Sequence, residues 1–327
     1  MDQMIRQNIG IVVIGRNEEK FLRRCFEALE NFVGPIVYVD SASTDGSLDI
    51  AHRFEKIHVL RLDESKPLTA ARGRNAGFAY LKEAVPNIAM IQFIDGDCAL
   101  DKNWLEQAAQ VLEQREDVAI VSGILQELDS DKNWLKQLSA MEWQKVAGEI
   151  KATGGNCLVK VGAFEAVNGF NPLIAGAEDD EFCLRVRMRG WKILHLPISM
   201  AVHDVGESTF RNYWNRSLRT GYAFSQLSWI HRDAPEKIFL KENISTWIFG
   251  GIIPILAIVL VFWTKGFSLG LFLIYPILFA RIYMQTKKKW GSKKAALYAA
   301  SCVLAKFPGF LGSLKFYFNL LAGKASI

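Results

Sequence analysis

The chain has no Cys-x-x-Cys pair. Its five cysteines (Cys25, Cys98, Cys157, Cys183 and Cys302) are scattered and odd in number. That excludes a structural zinc site of the usual spacing and a paired disulfide framework, and it fits a reducing, cytosolic setting. Residues 1–8 are polar and carry no apolar core segment, so no cleavable signal peptide is expected. Charge of one sign is also scarce. The 39 Lys and Arg against 34 Asp and Glu leave a net +5, dispersed along the chain, which gives no case for nucleic acid as a partner. Apolar residues, by contrast, are plentiful: 50% of the chain is hydrophobic and the mean hydropathy is slightly positive. Disorder as the main state is thereby excluded. The 327 residues suffice for one large domain or two smaller ones.

The apolar excess falls almost entirely after Asn243. Before it, short apolar runs of strand length and β-branched character occupy residues 9–14, 36–39, 57–62, 88–94 and 118–125. Between them lie stretches of helical period, in which Leu22, Cys25, Phe26 and Leu29 share one face and Trp104, Ala108, Val111 and Leu112 another. Such alternation predicts an α/β domain with a mostly parallel sheet and helices on both faces. Further on, a short strand is expected over 156–160, a charged helix over 178–189, and two more apolar runs at 191–196 and 198–203.

Residues 244–263 carry no charge and, at about 20 residues, match a hydrocarbon core of about 30 Å. Residues 267–283 are shorter, at about 17 residues, the lower limit for a span. Only Thr264-Lys265-Gly266 joins the two, which predicts a transmembrane hairpin; a buried helical hairpin of a soluble protein is the plainer alternative. Arg232, Lys237 and Lys241 precede the first segment; Arg281 stands at the end of the second, and Lys287, Lys288, Lys289, Lys293 and Lys294 follow it. By the positive-inside rule both flanks, and the α/β domain with them, are expected in the cytosol, at the inner cell membrane. The expected organisation is a catalytic domain at 1–232, a linker at 233–243, the hairpin at 244–284, and a basic, amphipathic segment at 285–327 that lies in the interface.

Ligands of open α/β sheets collect at the carboxyl ends of the strands, and the polar clusters fall there. Asp95-Gly96-Asp97 follows the fourth apolar run. Two carboxylates one residue apart can face one hard cation such as Mg²⁺ or Mn²⁺, although a strand-to-loop turn accounts for the same residues. Asp40-Ser41-Ala42-Ser43-Thr44-Asp45-Gly46-Ser47 follows the second run. There Asp40 could accept from a nucleobase or ribose, and Asp45 is expected to cap the next helix. In Ala71-Arg72-Gly73-Arg74-Asn75-Ala76-Gly77, small residues permit close approach and an arginine can fork to a diphosphate; an ordinary basic helix is the alternative. Four acids, Glu178-Asp179-Asp180-Glu181, open a helix, where they suit the macrodipole. Gly176 and Ala177 before them suggest a loop able to close over substrate.

Taken in order, Asn17-Glu18-Glu19, Asp40 with Thr44-Asp45-Gly46-Ser47, Arg72-Gly73-Arg74-Asn75-Ala76-Gly77, Asp95-Gly96-Asp97, Gly154-Gly155-Asn156 and Glu178-Asp179 with Cys183-Leu184-Arg185 and Gly190-Trp191 resemble the family 2 glycosyltransferases of GT-A fold over about residues 9–208. The resemblance implies an inverting transferase that moves a sugar from a nucleotide-diphospho-sugar, with Mn²⁺ or Mg²⁺ as cofactor. It places Asp40 on the nucleobase, Arg72 near the nucleotide, Asp95 on ribose or metal, and Asp97 on the metal, with His203 approaching metal or diphosphate. Asn17, Glu18, Gly155 and Asn156 fall among its nucleotide-sugar contacts, and Asp179 matches its catalytic base, with Asp180 the neighbouring candidate. The opening motif departs from Pro-x-Tyr-Asn-Glu, reading Ile14-Gly15-Arg16-Asn17-Glu18. No Q-x-x-R-W element of processive synthases is present; Arg216-Ser217-Leu218-Arg219 stands in its region. One sugar per turnover is therefore expected, onto a membrane-associated, lipid-linked glycan. A nucleotidyltransferase would need a lysine-bearing glycine loop near the first strand, which Gly15-Arg16-Asn17 does not resemble. A catalytically silent membrane scaffold is opposed by the intact Asp95, Asp97 and Asp179.

Overall fold

The computed structural model describes residues 8–204, 206 and 209–325. They divide into two compact units. The first comprises the described residues up to Ser130, Ser139–Pro172 and Glu178–Gly206; the second comprises Asp131–Leu138, Leu173–Ala177 and the described residues that follow Gly206.

The first unit is built on strands β1 (Ile9–Gly15), β2 (Ile36–Asp40), β3 (Ile57–Arg61), β4 (Met90–Asp95), β5 (Cys98–Leu100), β6 (Val118–Glu127), β7 (Gly148–Glu149), β8 (Cys157–Lys160) and β9 (Lys192–His203). Among the described residues these form one mixed sheet of order β3-β2-β1-β4-β8-β6-β9-β5, with β7 on β9. The half that carries β3, β2, β1 and β4 is parallel throughout; β8, β5 and β7 enter antiparallel. Alternation along β1 shows why the sheet is covered twice. Ile11 and Val13 enter one core cluster, and Val12 and Ile14 enter the other, as a period of two requires. Helices α1 (Glu19–Ala28), α2 (Ser47–Ala51), α3 (Ala70–Ala84) and α4 (Trp104–Gln114) connect these strands. The expected faces are the buried ones: Leu22, Cys25 and Phe26 on α1, and Trp104, Ala108 and Leu112 on α4. Helix α3 can lie close on the sheet because Gly77 faces Val12, where a Cβ would collide.

Two sequence expectations are refined. The runs at 191–196 and 198–203 are one strand, β9, since Pro197 sits in a bulge where Ser122 pairs with His195 but Ile124 already pairs with Ser199. A bulge is where a strand tolerates proline. Strand β5, only three residues long, has no period from which to be predicted.

The second unit contains α8 (Phe210–Ile230), α9 (Leu240–Trp247), a π-helical turn (Ile248–Ile252), α10 (Ile253–Val259), a 3-10 segment (Phe267–Leu273), α11 (Ile274–Leu304) and α12 (Lys306–Leu321). The labels α5, α6 and α7 belong to Trp134–Glu142, Val161–Ala166 and Glu178–Met188. The π-turn precedes Pro254, whose missing N–H breaks the regular helical ladder. Two stretches, Leu240–Val259 and Phe267–Leu321, contain windows long and apolar enough to cross a membrane. Within the second, Gly291 (φ 75°) interrupts α11. Helix α8, expected in the catalytic domain, clusters instead with the C-terminal helices. A Cβ at Gly221 would strike the backbone of Gly309, and one at Gly312 the carbonyl of Leu218, so α8 and α12 touch backbone to backbone. A buried polar cluster joins the same helices: Ser225 Oγ donates to Asn243 Oδ1 at 3.0 Å and meets Ser313 Oγ at 2.7 Å, which also accepts from Trp247 Nε1 at 2.6 Å.

Candidate active site

Register sets the site. Gly15 pairs with Asp40, and Ile14 pairs with Asp95, so β1, β2 and β4 end at one level and their loops converge. Asn17, in the left-handed region (φ 60°), receives the Thr44 N–H on its Oδ1 at 2.8 Å and donates its own N–H to Ser43 Oγ at 2.9 Å. Asp45 accepts from Glu19 N at 3.1 Å and from Ser47 N at 3.1 Å. It thus serves the first turns of both α1 and α2, although the N-cap position of α2 is taken by Gly46 rather than by Asp45 as expected. Asp40 is fully buried, and its two oxygens accept from Ser43 N (2.8 Å) and Tyr38 OH (3.2 Å). Its carboxylate fixes the loop that follows β2. Glu18 lies against the acidic centre; burial first, then the charges of Asp97 and Asp95, push its carboxyl up to about 8.

The centre itself is a knot of acids around one cation. Arg74, only 3% exposed, donates to Asp95 Oδ1 at 2.9 Å and to Glu178 Oε1 at 2.6 Å. Burial alone would lower the guanidinium pKa, but Asp95 and then Glu178 outweigh it and raise it. Burial pushes Asp95 up, against the pull of Arg74 and with the neighbouring Asp97 and Glu178 charges adding to it. Asn156 closes the other side, its Oδ1 accepting from Asp95 N at 2.8 Å and its Nδ2 donating to Asp95 Oδ2 at 3.3 Å. Gly155 is a glycine for a steric reason: a Cβ there would strike Arg74 Nη2 and stand 3.3 Å from Asp95 Oδ2. Arg72 points elsewhere, its guanidinium donating to the carbonyls of Asp63 and Pro67.

Asp97 Oδ2 lies 3.1 Å from His203 Nε2, and its Oδ1 accepts from Cys98 Sγ at 3.3 Å. The ligand atoms of Asp97, Cys98 and His203 all fall within 4.8 Å of one another. The Asp97 oxygen and the His203 nitrogen, inside an excess of carboxylates, suit a divalent cation. Burial raises the Cys98 thiol pKa, so its sulfur stays a thiol that donates to Asp97 rather than a ligand. Of the expected metal residues, Asp97 and His203 are therefore together, whereas Asp95 is engaged by Arg74 and Asn156. Burial would lower the His203 pKa, yet hydrogen bonds to Asp97 and Glu127 carry it up to about 9.

The acids that open α7 lie near the Gly154-Gly155 turn. A Cβ on Gly154 would stand 3.9 Å from Asp179 Oδ2. Asp179 and Asp180 are both half-buried. Burial, then the charge of Glu178, raises the Asp179 carboxyl against the pull of Arg74; burial and the Asp179 charge lift Asp180 to about 7. Lys145, whose ammonium is depressed by burial, donates to the carbonyls of Ala152 and Thr153 at 2.6 Å each and so anchors the turn that carries Gly154 and Gly155. A cavity of about 150 Å³ lies beside these groups, lined among others by Asp95, Trp143, Lys145, Asn156, His195 and His203. The arrangement can bind an anion-bearing ligand through a cation and offer a carboxylate as proton acceptor beside it.

The fold is that of a GT-A-like glycosyltransferase. A family model described as Glycosyl transferase family 2 matches residues 10–167, and one described as Glycosyl transferase family group 2 matches residues 90–286, more than half of the chain. The chain belongs to the family 2 glycosyltransferases. Among solved structures it is similar to the mannosyltransferase PcManGT of Pyrobaculum calidifontis, crystallised with GDP-Man and Mn²⁺. The TM-score is 0.59 and the identity 18%, over 91% of this chain and 87% of that one. S. aureus TarS 1–349, solved with UDP, has a TM-score of 0.50 and 15% identity over 94% and 91%. In sequence it is 26% identical over 113 residues to the glycosyltransferase AglE of Haloferax volcanii, covering 32% of this chain and 35% of that protein. The chain thus spans about a third of the length of the curated relative it matches.

Proposed function

We propose that this glycosyltransferase is inverting and non-processive, and that it moves one sugar from a nucleotide-diphospho-sugar to the hydroxyl of a membrane-associated, lipid-linked acceptor. The observation that carries the reading is the buried Arg74, which ties Asp95 of the Asp-Gly-Asp loop to Glu178 beside Asp179. That tie would bring the donor-binding acids and the proton-accepting acid to one site. Asp97 and His203 would hold the cation, Mn²⁺ or Mg²⁺. When bound, that cation would offset charge developing on the departing diphosphate. Asp179 would take the proton of the acceptor hydroxyl as it attacks the anomeric carbon from the opposite face. Asn17, Glu18, Asp40, Arg72, Gly155 and Asn156 would shape the nucleotide-sugar site, Asp40 and Arg72 acting through the loops they hold. The UDP of TarS and the GDP-Man and Mn²⁺ of PcManGT support a nucleotide-linked donor and a divalent cation.

The two apolar stretches would cross the inner membrane as a hairpin with the catalytic unit in the cytosol. Support comes from the basic flanks and from Phe262, Trp263 and Phe267, which bracket the short connection and are 78–88% exposed, as aromatic residues at a membrane interface are. The test is thermal protection of the purified protein by UDP-, GDP- and dTDP-sugars, followed by determination of the anomeric configuration of the product. Retained configuration would overturn inversion, and no protection by any nucleotide sugar would overturn the donor assignment.

A further inference from the structure

His203 is the middle residue of a row across three neighbouring strands. On one side register pairs it with Glu127 of β6, on the other with Cys98 of β5. Residues paired across adjacent strands carry their side chains on one face of the sheet, so Glu127, His203 and Cys98 face the same way, with Asp97 one residue before Cys98. The contacts follow that geometry. Glu127 Oε2 is 2.7 Å from His203 Nδ1, while His203 Nε2 looks to Asp97 Oδ2 at 3.1 Å. The Glu127 side chain has no exposure to solvent, and Trp143 meets the imidazole edge-on with ring centroids 4.3 Å apart. No motif of the sequence marks Glu127.

A fully buried carboxylate is costly unless a partner holds it. Here the partner is a ring whose other nitrogen faces the candidate cation position. The nitrogen of a histidine that is free to ligate is set by the hydrogen bond made by the other one. The geometry points to Glu127 as a positioning residue of the cation site: it holds the Nδ1–H of His203, and so presents Nε2, in a fixed orientation, to the cation beside Asp97. This role rests on the assignment of Asp97 and His203 as cation ligands. Loss of such an outer carboxylate typically weakens metal affinity by about 10- to 100-fold.

The test uses the full chain, metal-free, as wild type, Glu127→Gln and Glu127→Leu. Glutamine keeps the size and an accepting oxygen but loses the charge; leucine loses both, and the glutamine variant carries the test if the leucine variant does not fold. Mn²⁺ alone is titrated by calorimetry, and UDP and GDP are titrated separately in EDTA. The expected result is Mn²⁺ affinity reduced about 10- to 100-fold by leucine and less by glutamine, with nucleotide affinity in EDTA unchanged. Equal Mn²⁺ affinity in all three proteins would overturn the positioning role alone. Nucleotide affinity in EDTA that falls along with Mn²⁺ affinity would overturn it too, by showing that Glu127 merely supports the fold of the pocket. A wild-type protein that takes up no Mn²⁺ would overturn the cation site itself, and this role with it.

Discussion

Arg74 holds Asp95 at 2.9 Å from a side chain only 3% exposed, and the same guanidinium reaches Glu178. One buried cation therefore serves acids from two elements, β4 and α7, that lie far apart in the chain. Among the described residues its Nε–H has no hydrogen-bond partner, so the terminal nitrogens carry the polar linkage, while Phe170 lies under the guanidinium with its ring centre 5.3 Å away.

Removal of that cation should be severe. Arg74→Met would leave Asp95 and Glu178 without their shared counter-charge, a loss below the roughly 3–5 kcal/mol of a fully buried pair broken on one side, because the Asp95 side chain is 35% exposed. Arg74→Lys should recover only part of this, since a single ammonium cannot fork to two carboxylates as guanidinium does. Chemical denaturation of both variants against wild type measures the difference. A near-native stability for Arg74→Met would mean that water reaches the two acids.

The pH dependence of the metal-free protein should run opposite to ordinary acid unfolding. His203 is raised from 6.5 to about 9; a group protonated more tightly in the folded state contributes stability that is full below the lower value and lost as pH climbs through the higher one. Glu18 is raised from 4.5 to about 8, so ionising it in the folded protein also costs stability as pH rises. Unfolding temperatures in EDTA should therefore fall between about pH 4.5 and 9, most steeply above about 6.5, where both groups contribute, and the slope should flatten in the double variant His203→Gln, Glu18→Gln. Saturating Mn²⁺ should also flatten it, because a cation favours the deprotonated histidine and the ionised acids. A flat profile in wild-type EDTA samples would remove the acidic cluster as a determinant of stability.

Topology gives a third expectation. Cys25, Cys98, Cys157 and Cys183 are buried, and Cys302 is half-buried, so Cys302→Ser leaves a background of hidden thiols. In it, Thr264→Cys should react with an impermeant thiol reagent in whole cells, because the connection between the two apolar stretches would lie outside. Reaction at Ser292→Cys and none at Thr264→Cys would invert the proposed orientation.

The elements most legible in the sequence were those with a period. Apolar runs gave β1, β2, β3, β4 and β6 within one or two residues, and the acids placed at strand ends did converge, because parallel strands of matched register finish together. Where side chains point was less legible. Arg72 and Arg74 stand about 200° apart on a helix, so only one can enter the cleft. The stripe Arg74, Gly77 and Leu81, spaced three and four apart and all buried on α3, identifies which, and it was available from periodicity alone. Glu127 was not: it follows no motif, and its meeting with His203 depends on a strand register fixed by the bulge around Pro197. Helix α8 was not legible either: its polar residues conceal Gly221, the small face that receives α12.

The division of labour between Asp179 and Asp180 can be decided by rate. The two carboxylates leave α7 about 100° apart, so one faces the acceptor hydroxyl and the other turns aside. Asp179 is the residue whose oxygen approaches Gly154, beside the Gly155 contact with Arg74 and Asp95, which puts it nearer the donor-binding acids. A proton acceptor must be ionised, and burial raises the pKa of Asp179. The rate should therefore rise with pH along an acid limb displaced above the ordinary aspartate value of about 3.9. Asp179→Asn should lower kcat by about 10²–10⁴-fold and leave donor affinity nearly unchanged, since the donor is held by other groups. Asp180→Asn should cost far less. Steady-state transfer across pH for both variants, with calorimetric donor affinity alongside, makes the comparison. If Asp180→Asn proves the more damaging, the base moves to Asp180.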